Sequence, residues 1–517
     1  MTSDAQAGPV GVAIARALVR HGVTHVFGIP GIHTMELYRG LAETEIRHVT
    51  SRHEQSAVFM ADGYARSTGQ PGVACLITGP GIANGATAIA EAYSDSVPIL
   101  VLTTQIEREL AGQGKRRSHE LFNQQSLLRG LTPNVAHANS GQDAVAAIDA
   151  AFEAFSASRP VPAIVEIPID VLAGCEVVAI REPSPTEPTL PPSLHLERAR
   201  GWLERAERPL IIVGGGAQGA AAEVVKLAEV LGAAVVSSSS GKGVVPDRHP
   251  LFLTAGLDLA AVRTAVREAD VLLVIGCEIG HMDTYVADAT PWPTPRRTIQ
   301  IDIDPTQIGR NAHANLGLVG DAAATSAWLV ERLHRTSPRR TADAATKAAV
   351  DHDARSVAGG LAPWIDALDA GLPPDAILAA DITRPVTYAA IYLHRCDTPR
   401  SWLRPLGLTT LGYALPAAIG ASVANPGRAV AALVGDGGLM FTVQDLLVAA
   451  ELELALPVVV WNDGGYGEIR DKMVASGIPP VGTSLRNPDF PALARALGGE
   501  GVQVERPADL TRELGAA

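Results

Sequence analysis

Two kinds of segment alternate along the chain. Short runs rich in β-branched residues recur at 71–78 (PGVACLIT), 97–104 (VPILVLTT), 162–169 (PAIVEIPI), 209–216 (PLIIVGGG), 270–276 (DVLLVIG), 298–304 (TIQIDID), 429–437 (AVAALVGDG) and 456–463 (LPVVVWND). Between them lie alanine-rich stretches with apolar residues at helical spacing. Strands that are apolar on both sides need cover on both faces, so the alternation predicts parallel sheets flanked by helices. The opening MTSDAQAGPVGVAIARALVRHG predicts an amphipathic helix behind a polar lead, with no signal-peptide pattern.

Two stretches break the alternation. Residues 181–195 (REPSPTEPTLPPSLH) carry five prolines and no period, and residues 334–348 are polar after a helix-like run. Read as linkers, they leave three domains at 1–180, 196–333 and 349–517. The predicted fold is therefore α/β, three doubly wound parallel-sheet domains in succession.

Composition narrows the function classes. The 517 residues are 47% hydrophobic and 19% charged, as expected of a globular α/β protein. Lys plus Arg number 42 against 55 Asp plus Glu, a net charge of −13, and aromatics are 4%. That balance lacks the footprint of a nucleic-acid binder or a base-stacking platform. Four dispersed cysteines form no CxxC pair, which argues against a disulfide framework or a cysteine zinc site. No apolar stretch reaches the roughly 18 residues a membrane span requires. A cytoplasmic protein with no membrane or nucleic-acid partner is expected.

Gly214-x-Gly216-x-x-Gly219, between a strand and a helix, matches the dinucleotide fingerprint. The acid that would bind the ribose should end the following strand, but the chain there reads AAVVSSSSGKG. A structural glycine turn is the preferred reading.

The third segment carries the strongest chemical pattern. A strand ends at Gly435-Asp436-Gly437-Gly438, a helical run follows, and a second strand ends at Asn462-Asp463. One crossover would place Asp436 and Asp463 at the carboxyl ends of two parallel strands, where open α/β sheets bind ligands. Such oxygens suit Mg²⁺, which takes few protein ligands and the remainder from phosphate and water. The bare amides of Gly437 and Gly438 admit a diphosphate. Either motif alone would be an ordinary turn. In the first segment, Arg52-His53-Glu54-Gln55 precedes an alanine-rich helix, and a strand ends at Thr78-Gly79-Pro80-Gly81. Taken alone, Glu54 could complement its helix dipole or pair with Arg52.

The ordered set VFGIPG, RHEQ, TGPG, IDIDP, TLGYALPAAIGA, GDGG and ND resembles the thiamine-diphosphate-dependent 2-oxo-acid enzymes over nearly the whole chain. That family includes acetolactate synthases, pyruvate oxidases and 2-oxo-acid decarboxylases. The resemblance implies pyrimidine-binding, middle and diphosphate-binding domains. It also implies a homodimer or homotetramer with cofactor sites between subunits. Glu54 then matches the glutamate that bonds N1′ of the aminopyrimidine. Leu411 matches the bulky residue on which the cofactor bends, and Thr409 a carbonyl contact to its 4′-amine. Thr383 and Arg384 fall where relatives touch the diphosphate, although Arg384 is equally placed to be a surface cation. Asp436, Asp463 and the Gly465 carbonyl match the Mg²⁺ ligands, with Asp463 where many relatives carry Asn.

On the substrate side, the resemblance points to Ile32, Phe122, Asn123 and Gln124 as pocket residues. His33 and His119 are the acid–base candidates near neutral pH. FGIPGIHTMELYRGL, SHELFNQ, GCEIGHMD and WNDGGYGEIR look most like the branch that decarboxylates 5-guanidino-2-oxopentanoate. A guanidinium would need an acidic partner, for which Glu107, Glu120 and Glu278 are candidates. Cys277-Glu278-Ile279-Gly280 stands in place of the Arg-Phe-Asp-Asp run of flavin-binding acetolactate synthases, so tight FAD binding is not expected. The sequence ends soon after PALARALGGE, where relatives continue, and this is compatible with an open site or disorder after Gly465. Three functions are weighed: decarboxylation of a 2-oxo acid, acetolactate-type carboligation, and a catalytically silent binding homologue.

Overall fold

The computed structural model describes residues 7–182, 187–284, 291–334 and 343–517. They fall into two compact units. One gathers the described parts of 1–186 with 405–460 and 487–501; the other gathers those of 187–404 with 461–486 and 502–517. The stretch 349–517 thus contributes to both.

In the first unit a six-stranded sheet runs in the order Arg47–Thr50, His25–Gly28, Gly72–Leu76, Ile99–Gln105, Ala163–Pro168, Asn134–His137, with every pairing parallel. Its central strands are buried along their length, as the unbroken apolar runs require. Because the strands are parallel, all their carboxyl ends lie on one edge. Helix Glu54–Thr68 is capped by His53, whose ring Nδ1 accepts from the Gln55 N–H, and ends at Gly69 in the left-handed region. It packs on helix Ala414–Ala424 so closely that a Cβ at Gly63 would lie 2.0 Å from the Ala417 carbonyl oxygen. Likewise, a Cβ at Gly420 would lie 1.9 Å from that of Met60. Glycine at both positions lets the two backbones touch.

The same unit carries strand Val430–Gly435, which runs directly into helix Asp436–Thr442. The Ala432 N–H donates to the Pro457 carbonyl at 2.9 Å, tying this strand to the start of strand Val458–Trp461.

The second unit holds a parallel six-stranded sheet in the order Phe252–Thr254, Ala234–Ser237, Pro209–Val213, Val271–Ile275, Thr298–Asp302, Leu316–Val319. Here the fingerprint glycines have a structural cause. A Cβ at Gly214 would lie 2.2 Å from the Gly276 carbonyl oxygen, and one at Gly216 would lie 2.9 Å from the Gly276 Cα. The turns after two neighbouring strands are in backbone contact, and a 3₁₀ helix (Gly215–Ala220) follows. Strands Ile377–Ala380 and Trp402–Leu403 of this unit also pair in parallel.

Three expectations need correction. Helix Ser193–Arg205 begins inside the first supposed linker, and helix Ala344–Ala358 occupies the end of the second. Residues 183–186 and 335–342 of those linkers lie outside the described residues. The disorder weighed after Gly465 does not appear among the described residues: helices Gly467–Ala475, Phe490–Ala496 and Pro507–Ala516 follow, joined by irregular stretches. The last of these rests on helix Ala362–Gly371, where the Thr511 hydroxyl donates to the Ala367 carbonyl. No helix among the described residues is long and apolar enough to cross a membrane.

Candidate active site

Four loops leave the carboxyl edge of the first sheet, and each carries candidate residues. Ile32 and His33 follow strand His25–Gly28, Glu54 follows Arg47–Thr50, Thr78–Gly81 follow Gly72–Leu76, and Glu107 follows Ile99–Gln105. This is the edge at which α/β sheets bind ligands. Glu54 is half-buried and accepts a hydrogen bond from the Asn84 amide at 2.9 Å. Its expected partner Arg52 instead pairs with Glu451, while the Arg52 backbone N–H donates to Asp445. A Cβ at Gly81 would lie 2.6 Å from the Ile77 Cγ2, so glycine there lets the turn pack on Ile77, with the Glu54 carboxylate in ordinary contact distance at 3.5 Å.

The Thr78–Gly81 turn is held from beneath by Gln124. Its carboxamide oxygen accepts from the Thr78 hydroxyl (2.7 Å) and the Gly79 N–H (3.1 Å). Its NH₂ donates to the Thr104 carbonyl and to Glu166, both at 2.8 Å. Buried Glu166 also accepts from Gln105, Gln125 and His137. Gln124 is therefore fully engaged in supporting the turn. Its neighbours differ: Phe122 is wholly exposed, and Asn123 caps helix Gln124–Leu131 by accepting from the Ser126 N–H.

His33 and His119 come together, with ring centroids 4.7 Å apart. His119 sits at φ +66° with its ring Nδ1 3.1 Å from the Thr78 carbonyl. A Cβ at Gly79 would lie 2.6 Å from the His119 carbonyl oxygen, so this loop lies directly on the turn. Among the described residues the His33 Nδ1 is buried without a hydrogen-bond partner. Burial first, then the neighbouring His119, lowers the His33 pKa below its ordinary value, and Glu107 opposes this. Ile32 is 78% exposed and, with Met35, borders an open depression of about 660 Å³. Both oxygens of Glu120 accept loop amides, from Gly114 and Arg117. Glu278 belongs to the other unit, after strand Val271–Ile275.

In the first unit the Asp436 side chain is buried and receives the Asn487 amide. It has no ion pair among the described residues. A buried carboxylate served by one amide fits a cation ligand, since burial without compensation is costly. Gly437 and Gly438 are buried at the start of the same helix. Leu411 is half-buried, and Thr409 adopts φ +56°. For a β-branched residue that conformation costs about 1–3 kcal/mol and persists only under constraint.

The constraint comes from two carboxylates that sequence reading passed over, Glu91 and Asp95. They accept from the backbone N–H groups of 406, 407, 408 and 410. The only sequence cue was an acidic pair at helical spacing in an alanine-rich run, AIAEAYSDS, which reads as ordinary surface.

In the second unit the Thr383 carbonyl accepts the N–H groups of Val386 and Thr387, opening a π-helix at Val386–Ala390. Such turns are frequent at functional sites. Arg384 lies 3.2 Å from Asp471 and 3.9 Å from Asp463. It is therefore a paired cation beside a candidate metal ligand. Gly465 has φ +140°, and a Cβ there would lie 2.1 Å from the Thr483 carbonyl oxygen. Its own carbonyl accepts the Gly467 N–H at 3.0 Å.

Comparison with known proteins assigns the class. Residues 9–127, 196–329 and 381–517 match, in order, the N-terminal TPP-binding, central and C-terminal TPP-binding domains of thiamine pyrophosphate enzymes. The chain belongs to that family and is a thiamine-diphosphate-dependent enzyme of three parallel-sheet α/β domains. It is 40% identical to a probable 2-ketoarginine decarboxylase of Pseudomonas aeruginosa, over 97% of this chain and 89% of that protein. It is 33% identical to an acetolactate synthase of Mycobacterium bovis, covering 96% and 84% of the two chains. With the large subunit of acetolactate synthase isozyme 3 of Escherichia coli it shares 31% identity, over 98% and 91%.

Proposed function

We propose that this enzyme decarboxylates a 2-oxo acid without net oxidation, with 5-guanidino-2-oxopentanoate as its substrate. The similarity to the Pseudomonas protein supports that substrate. The observation that carries the catalytic reading is Glu54, oriented by Asn84 beside the glycine turn at the carboxyl edge of the first sheet. When bound, thiamine diphosphate supplies the electron sink for the pair released with CO₂.

The chain's own residues bind, orient and move protons around that chemistry. Glu54 holds a proton at N1′ of the aminopyrimidine, and Thr409 and Leu411 orient and bend the ring pair. Thr383, Arg384, Gly437 and Gly438 receive the diphosphate. Mg²⁺ would be held by Asp436, Asp463 and the Gly465 carbonyl. Burial favours the neutral form of His33, which suits it to accept a proton, and His119 lies beside it as the second acid–base group. Ile32, Phe122 and Asn123 would line the substrate's approach, and Gln124 acts on it through the 78–81 turn. Glu107 is the acid best suited to a guanidinium, because Glu120 is occupied by its own loop.

Of the domains expected at 1–180, 196–333 and 349–517, the second and third would extend back to Ser193 and Ala344, where their first helices begin. The working enzyme would be a cytoplasmic homodimer or homotetramer with its sites between subunits, and no FAD. Acetolactate-type carboligation is the second reading, favoured by the acetolactate synthases among the relatives. Incubation with 5-guanidino-2-oxopentanoate and with pyruvate, following CO₂, aldehyde and acyloin, tests both. Aldehyde and CO₂ in equal amounts from the guanidino acid are expected. Acyloin from pyruvate as the dominant product would replace this reading with the second.

A further inference from the structure

Helix Pro80–Ser94 begins at the glycine turn beside Glu54 and ends on a different loop. Near its carboxyl end, Glu91 and Asp95 stand four residues apart and so share a face. Asp95 accepts the Leu406 N–H at 2.9 Å and the Gly407 N–H at 2.7 Å. Glu91 accepts the Leu408 N–H at 3.2 Å and the Thr410 N–H at 3.1 Å. The residue skipped in this series is Thr409, the one in the left-handed region. The loop lies directly on the helix, since a Cβ at Gly407 would lie 1.8 Å from the Ser94 Oγ. The far flank is fixed as well: the Tyr413 hydroxyl donates to Asp62 at 2.7 Å, and Arg66 bridges Asp62 and Asp95.

We propose that Glu91 and Asp95 are positioning residues for the cofactor, holding the 406–410 backbone so that Thr409 and Leu411 face the aminopyrimidine. This rests on the assignment of Thr409 and Leu411 as cofactor contacts. Two carboxylates spent on four backbone amides of one strained loop exceed what anchoring a surface segment requires. The groups acting on Glu91 are Asp95, Thr410 and Arg66, and Arg66 also pairs with Asp62 and Asp95, so one cation serves three carboxylates. Burial, and next the charge of Asp95, push the Glu91 carboxyl up to about 7. Above that pH both of its oxygens accept; below it one carries a proton and the clamp loosens.

Glu91→Gln tests the proposal, because an amide offers one acceptor where the carboxylate offers two. Hydrogen exchange at the Leu408 and Thr410 amides of the whole enzyme should quicken about tenfold or more. Thiamine diphosphate, titrated with Mg²⁺, should bind about tenfold more weakly. Inorganic diphosphate with Mg²⁺, which does not reach the pyrimidine contacts, should bind as in the wild type. Wild-type cofactor affinity should also rise with pH through about 7, and the variant's should stay flat.

Unchanged exchange, or an equal loss for inorganic diphosphate, overturns the proposal. Leu411→Ala separates this from the underlying assignment. If it weakens thiamine diphosphate while Glu91→Gln does not, the positioning role fails and the contact stands. If neither variant does, both fail. Should Glu91→Gln not fold, the wild-type pH series decides, and an affinity that does not change across pH 7 overturns the proposal.

Discussion

Gln124→Leu removes a carboxamide while nearly keeping its volume, in a side chain only 3% exposed. Gln124 touches four groups, and two of them lose its hydrogen bond with no replacement: the Gly79 N–H and the Thr104 carbonyl, while the Glu166 oxygen keeps the Gln105 amide. The Thr78 hydroxyl can rotate to another acceptor. A buried polar group left unpaired costs about 1–3 kcal/mol, so the substitution should cost about 2–6 kcal/mol in all. Against a typical stability of about 5–15 kcal/mol, that is a large fraction. Urea unfolding followed by far-UV circular dichroism reads the loss as a lower midpoint. Steady-state kinetics on the surviving protein should show a fall in kcat with little change in substrate KM, because the turn beside Glu54 loosens. Phe122→Ala is the control: it is fully exposed, so stability should move by no more than about 0.5 kcal/mol. A loss below about 1 kcal/mol for Gln124→Leu, with a raised KM, would mean that Gln124 does not support the turn and is instead a direct substrate contact.

Other substitutions probe different parts of the site. Arg66→Ala strands the buried carboxylates of Asp62 and Asp95 and should cost about 3–5 kcal/mol, read as a fall in urea midpoint. Gly465→Ala forces a Cβ to 2.1 Å from the Thr483 carbonyl and should abolish Mg²⁺-dependent cofactor binding in calorimetry. Gly464→Ala, at φ +81° with open space around it, should cost only about 1–2 kcal/mol and retain binding. The His33 pKa lies below its unfolded value of about 6.5. Its stabilising contribution is therefore complete above pH 6.5 and is lost as pH falls through the folded value. His33→Gln should flatten the acid side of the stability profile, measured as urea midpoints at pH 5 and pH 7.5.

The layers of this fold were legible because parallel strands buried on both faces leave unbroken apolar runs. All eight of the runs named above occupy strands in the structure. Local chemistry was legible too, since glycine turns and strand-end carboxylates are short in sequence. The contacts between distant segments were not. Thr410 meets Glu91 across 319 residues, and Arg52 finds Glu451 across 399. Nothing periodic marks such pairs, and Glu91 reads as a solvated face until the 406–410 loop is seen lying on it. Gln124 reads as a pocket amide for a related reason: its neighbours Phe122 and Asn123 are exposed, and only packing shows the chain turning inward at that residue. The linker ends were misjudged because Ser193 and Ala344 begin helices within polar sequence, where proline and charge dominate the composition.

In the proposed mechanism Glu54 drives the reaction on thiamine diphosphate. CO₂ release from the best 2-oxo acid substrate, at saturating cofactor and Mg²⁺, should be compared between the wild type and Glu54→Gln. A fall of about 10²–10⁴-fold, with cofactor binding retained, is the expected result. Equal rates in the two proteins would contradict the claim.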